Sequence, residues 1–156
     1  MQAWLRRRLL DPILALLRQG IAPQKLALSL ALAVVIGLIP ILGVSTALCA
    51  IVALAFGLNM PAMQLVNYVL SPLQLLLIIP FVRLGESLTG APAFPITIAS
   101  GLELLSQGVL PAIRVLWDAI VHAALAWILV APPAALLLFV ALRPLLIRYQ
   151  HRDTAL

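Results

Sequence analysis

From Leu26 to Leu58 the chain is almost unbroken in apolar residues, and Gly37, Pro40 and Gly43 stand near the middle of that run. As one straight helix the run would be about 50 Å long, against a hydrocarbon core of about 30 Å. Two full crossings would need about 40 residues plus a turn, which is more than the run contains. Proline removes a backbone donor and clashes with the preceding turn, while glycine permits a tight reversal. The break divides the run into limbs of about 11 to 15 residues, the length of a re-entrant segment. Ala33 and Gly37 on the first limb, with Ala53 and Gly57 on the second, put small residues where the limbs would meet. A helix–break–helix hairpin is expected, with one steeply kinked helix as the alternative.

Composition decides which solvent surrounds this hairpin. The chain is 64% hydrophobic and 10% charged, with a mean hydropathy of +1.16. A soluble domain is about half apolar and about a quarter charged, so these residues leave no material for a polar surface. The length suggests one domain. Arg6, Arg7 and Arg8 resemble the basic region of a secretory signal, but Asp11, Pro12 and Arg18 interrupt the apolar stretch beyond them, and no signal is expected. Cys49, the only cysteine, excludes an intrachain disulfide and reads as a packing residue.

The net charge of +5 is unevenly placed. Arg6, Arg7, Arg8, Arg18 and Lys25 precede the first apolar run, Arg143, Arg148 and Arg152 come after the last, and only Arg83 and Arg114 lie between. The positive-inside rule then puts both termini in the cytoplasm, which requires an even number of crossings. These basic residues read as topology signals and contacts to anionic membrane lipids. No nucleic-acid partner is expected, because no zinc spacing or other nucleic-acid motif accompanies them.

The same patterning organises the remaining segments. Residues 1–22 form an expected interfacial anchor, with Trp4, Leu5, Leu9, Ile13 and Leu16 on one apolar face and arginines reaching headgroups. Residues 23–85 form the broken-helix hairpin core, including a second apolar stretch, Pro61 to Val82, expected to break at Ser71-Pro72. Residues 86–114 read as an external loop, turn-rich from Thr89 to Pro95. Residues 115–142 are a third apolar segment, expected to break at Pro132-Pro133, and residues 143–156 read as a basic cytoplasmic tail. Irregular backbone inside a bilayer must be buried in protein or face a wet cavity. With few segments to cover three breaks, a homo-oligomer is expected. The fold class is an all-α integral membrane protein of short broken or re-entrant helical hairpins plus an N-terminal interfacial amphipathic helix.

Polar residues inside such segments carry the functional argument. Gln64, Asn67, Ser71 and Gln74 recur at helical spacing and would form a stripe on one continuous helix. Either they hold a bundle together by interhelical hydrogen bonds, or they line a hydrophilic path or headgroup site. Arg114, Asp118 and His122 succeed one another at four-residue intervals and can form a charged ladder. They are an interfacial pair with a neighbouring histidine, or a proton-linked site, since ionisable residues are costly in a span and histidine is a common proton shuttle. Arg83 can pair with Glu86, or its paired guanidinium donors can hold a phosphate. Gly43, Ser45 and Thr46 with the distant His122 resemble faintly an intramembrane serine protease, but no glycine stands after Thr46 and the spans are too few. Catalysis is not expected. No metal or cofactor motif is present.

From Gly20 to Gly85 the chain resembles the bacterial membrane family catalogued as domain of unknown function 2062. The residues carrying the resemblance are Gly20 and Pro23; Gly37, Pro40 and Gly43; Leu58, Asn59 and Pro61; Pro72; and Arg83, Leu84 and Gly85. Where the family usually has Asn-Pro, this chain has Ser71-Pro72, which keeps the proline but not the amide. The resemblance implies an inner-membrane location and, through the domain's neighbours in sugar transfer and envelope functions, lipid-linked substrates. The expected function is therefore to bind or move a lipid or lipid-linked anionic substrate, such as a phosphate or sugar carrier. Gly37, Pro40, Gly43, Ser71 and Pro72 would shape the path, Gln64, Asn67 and Gln74 would line it, and Arg83, Arg114, Asp118 and His122 would form a polar mouth. An accessory or scaffold subunit of an envelope complex is the second reading, and an ion or small-solute channel the third.

Overall fold

A computed structural model describes residues 22–41, 43–93, 106 and 108–153. The expected anchor lies outside the described residues except for Ala22. Among the described residues there is no strand, and four helices occur in order: α1 (Pro23–Gly37), α2 (Val44–Phe56), α3 (Met60–Thr89) and α4 (Val109–Asp153). The all-α expectation holds.

α1 begins with Pro23 in its first turn, where a missing amide hydrogen costs nothing. It is apolar nearly all round and sits at the centre of the bundle, packed against α2, α3 and α4. Leu26, Ala27, Leu30, Ala33 and Ile36 of α1 share one core with Cys49 and Ala53 of α2, Ala62, Met63 and Val66 of α3, and Leu146 of α4. The fully buried alanines among these let helix backbones approach closely, which is how apolar helices attract one another where lipid is equally greasy.

α1 stops at Gly37, and the chain turns through Leu38 to Gly43 before α2 begins. Pro40 has no amide hydrogen to continue the helix, and Gly43 takes a left-handed φ of 83° that the turn requires. α2 then returns alongside α1. At its far end, the side of Gly57 where a Cβ would stand lies 3.9 Å from Lys25 Nζ, near the start of α1. The Asn59 amide donates to Ser29 Oγ over 3.0 Å, and Ser29 in turn donates to the Lys25 carbonyl over 2.7 Å. The two limbs are antiparallel, as a hairpin demands. They contain 15 and 13 residues, so each is about 20 Å long and shorter than a bilayer core of about 30 Å.

Asn59 also caps α3, its Oδ1 accepting from the Ala62 amide over 2.7 Å. α4 runs antiparallel to α3, because His122 meets Gly85 near one end and Leu146 joins Ala62 and Met63 at the other. Gly85 is obligatory at that crossing, since a Cβ there would overlap the carbonyl group of His122. α3 and the part of α4 from Leu116 to Arg148 are long and apolar enough to cross a membrane. Two such helices, with no strand among the described residues, fit an all-α membrane protein.

Three expectations need correction. α3 continues without interruption through Ser71, Pro72 and Pro80, and α4 continues through Pro132 and Pro133. Each proline deletes one hydrogen bond, leaving the carbonyls of Tyr68, Leu76, Ile128 and Leu129 without their regular donors, but the neighbouring turns persist. The connection expected over residues 86–114 is shorter, because α3 runs to Thr89 and α4 starts at Val109. The basic tail is not a separate tail as far as Asp153, being the last turns of α4 beyond Arg143 and Pro144.

Candidate functional site

The hairpin tip is bound to α3 by the expected polar stripe. Gln74 Nε2 donates to the Ile39 carbonyl over 2.7 Å, filling a carbonyl that the break leaves without a helical partner. Gln64 Nε2 donates to the Thr46 carbonyl over 3.0 Å, and Asn67 Nδ2 to Thr46 Oγ1 over 3.1 Å. Ser71 Oγ instead donates to the Asn67 carbonyl within α3, over 3.2 Å. The stripe forms because α3 is one continuous helix, so the reading as interhelical hydrogen bonds is realised. From the other side, the Trp127 indole of α4 donates to the Val35 carbonyl in the last turn of α1 over 3.0 Å.

Gln74 stands halfway along the 30 residues of α3. Since the hairpin starts beside the N-terminal end of α3, its tip reaches only to the middle of that helix. The hairpin turn therefore meets α3 two residues beyond Pro72.

Two atoms of the stripe are unpartnered: Gln64 Oε1 and Asn67 Oδ1 are buried and accept no hydrogen bond. Asn67 is 2% exposed, and its Oδ1 lies 3.3 Å from where a Gly37 Cβ would stand. An orphaned buried acceptor costs about 1–3 kcal/mol, and more where no water is near. Pro40 is buried against the same region, whereas Gly43 and Val44 are exposed. α2 thus presents its first turn openly. Gly43 precedes it without a side-chain cap, leaving unsatisfied amide hydrogens and the positive end of the helix dipole.

The expected polar mouth divides. Arg83 Nη1 donates to Glu86 Oε2 over 3.0 Å, and the Glu86 side chain is buried beside the Gly85–His122 crossing. His122 Nδ1 lies 2.6 Å from the Asp118 carbonyl. A carbonyl only accepts, so Nδ1 carries the proton and, in the neutral ring, Nε2 is the acceptor. The side-chain ladder does not assemble: Arg114 and Asp118 are exposed, and no ion pair joins them among the described residues. At that spacing each side chain extends outward independently. The crossing lies about 16 Å along α3 from Gln74, so the stripe and the mouth are separate places. The tip's Ser45 and Thr46 are accordingly not brought to His122.

Thr46 and Trp127 bond at the hairpin, and the sequence reading assigned neither of them to it. A tryptophan deep in an apolar segment was a usable signal, because a buried indole N–H seeks an acceptor. Nothing local marked Thr46 as the partner of two amides.

No curated protein and no solved structure matches the chain. The model of a family described as "Uncharacterized protein conserved in bacteria (DUF2062)" matches residues 4–155, covering the motifs around the hairpin turn, the Asn59 cap and the Gly85 crossing, and the chain belongs to that bacterial family.

Proposed function

We propose that this protein is an inner-membrane homo-oligomer that binds or moves a lipid or lipid-linked anionic substrate, with α1 and α2 as a hairpin re-entrant from the cytoplasmic side. The observation carrying this reading is the open N-terminus of α2, which has no side-chain cap and whose first turn lies beside Gln64 and Asn67 of α3. A helix N-terminus attracts anions, and a phosphate headgroup drawn into the bilayer would meet it there. The unpartnered oxygens of Gln64 and Asn67 support a tip that opens, since water or a headgroup donor would relieve them. No catalytic residue is assigned.

The alternative reading is a scaffold subunit, and one observation favours it. The amide donors of Gln64, Asn67 and Gln74 all go to the hairpin, as in a self-sealed bundle. Mass spectrometry of lipids retained by the purified protein separates the two. Val44→Asp places a competing carboxylate at the α2 N-terminus, and Val44→Asn is its neutral comparator. Retained phosphate-bearing lipid should fall at least about fivefold in Val44→Asp and persist in Val44→Asn. Equal retention in both, or no retained lipid in the wild type, would favour the scaffold.

A further inference from the structure

A second feature lies on the exposed face of α4. A groove of about 280 Å³ is lined by Phe139, Val140, Arg143, Pro144 and Ile147. Four of these side chains are hydrocarbon, and the fifth is an exposed guanidinium that makes no ion pair among the described residues. Pro144 contributes a further polar group indirectly. Lacking an amide hydrogen, it leaves the Val140 carbonyl without the donor a regular helix would supply. The groove therefore offers a fork of donors and a free acceptor beside an apolar trough.

Its place in the bundle gives these groups a meaning. Leu146 packs in the core with Leu26 and Ala27, so this end of α4 lies beside the start of α1. Lys25, Arg143 and Arg148 all stand at this end, whereas Arg83 and Arg114 at the other end share it with Glu86 and Asp118. The charge of this end suits the anionic face of a membrane. Arg143 is also close to the end of the apolar span, at Arg148. Leu136, Val140, Arg143 and Ile147 succeed one another on a single stripe of α4, so an acyl chain beside Arg143 has a hydrocarbon track leading inward.

We infer that this groove binds one anionic glycerophospholipid. Its phosphate is held by the Arg143 guanidinium, a headgroup hydroxyl donates to the Val140 carbonyl, and a chain lies along Phe139, Val140 and Leu136. The inference rests on the proposed membrane residence of the protein, and not on the path at the hairpin tip.

The test is native mass spectrometry of the full chain released from nanodiscs containing equal amounts of phosphatidylglycerol and phosphatidylethanolamine. Wild type should keep one phosphatidylglycerol at collision energies that remove phosphatidylethanolamine. Arg143→Gln should lower that occupancy about fivefold, and Ile147→Trp, which fills the groove while keeping the charge, should lower it comparably. Arg148→Gln removes the same charge outside the groove and should leave occupancy unchanged. Equal losses from Arg143→Gln and Arg148→Gln would mean diffuse attraction and overturn the site, as would equal retention of the two lipids by wild type. Val44→Asp should not affect this lipid, so failure here and failure at the tip are distinguishable.

Discussion

Gly43 and Gly85 lack a side chain for different reasons, and alanine separates them. Gly43 has a φ of 83° with nothing within 4 Å of its absent Cβ, so Gly43→Ala suffers backbone strain alone, about 1–2 kcal/mol. Gly85 has an ordinary helical conformation, but its absent Cβ would meet the His122 backbone, which is held in its own helix and cannot yield as a flexible side chain does. Gly85→Ala should cost about 3 kcal/mol or more by forcing α3 from α4. Denaturant titration of the detergent-solubilised variants checks the order. A Gly85→Ala protein as stable as Gly43→Ala would show that the two helices do not cross this closely.

At the scale of elements, the hairpin is the prediction that chain geometry made easiest to read. A run too long for one crossing and too short for two, with Gly37, Pro40 and Gly43 at its middle, has few other solutions. Replacing all three by alanine should favour one continuous helix and carry Gly57 away from Lys25. Cysteines at positions 25 and 57, in a Cys49→Ala background, should be bridged by a short bis-maleimide in the native hairpin and not in the triple variant. A bridge that survives all three substitutions would show that the tip does not depend on them. The other prolines were legible as residues but not as outcomes. Pro72 and Pro132-Pro133 each remove donors from helices of 30 and 45 residues; where no water competes for the rest, the remaining bonds keep the helix whole. The stripe was visible from the spacing of Gln64, Asn67 and Gln74. Its partners were not, because the Ile39 carbonyl and Thr46 meet it only after the chain reverses, and sequence spacing carries no record of that contact. The ladder from Arg114 to His122 failed for the converse reason: correct spacing permits a contact without supplying the burial that makes it worthwhile.

For the whole molecule, the two ends of the bundle differ in charge, and this fixes an expected orientation. Lys25, Arg143 and Arg148 share one end, which the positive-inside rule assigns to the cytoplasm. Single cysteines replacing Gln24 and Pro92, again without Cys49, should react with an impermeant maleimide from opposite sides of the membrane, Pro92 from the outside. Reaction of both from one side would overturn the assignment. The half-length hairpin has a consequence for the bilayer itself. A helix with its side chains is about 10–12 Å across, so under the proposed re-entrant placement the two limbs would displace roughly 200 Å² of lipid in one leaflet and almost none in the other. Each copy would then be a wedge, broad on the cytoplasmic side and narrow on the other. Several wedges packed together would bend the surrounding sheet, so such a protein would gather where the membrane is already curved toward its narrow side.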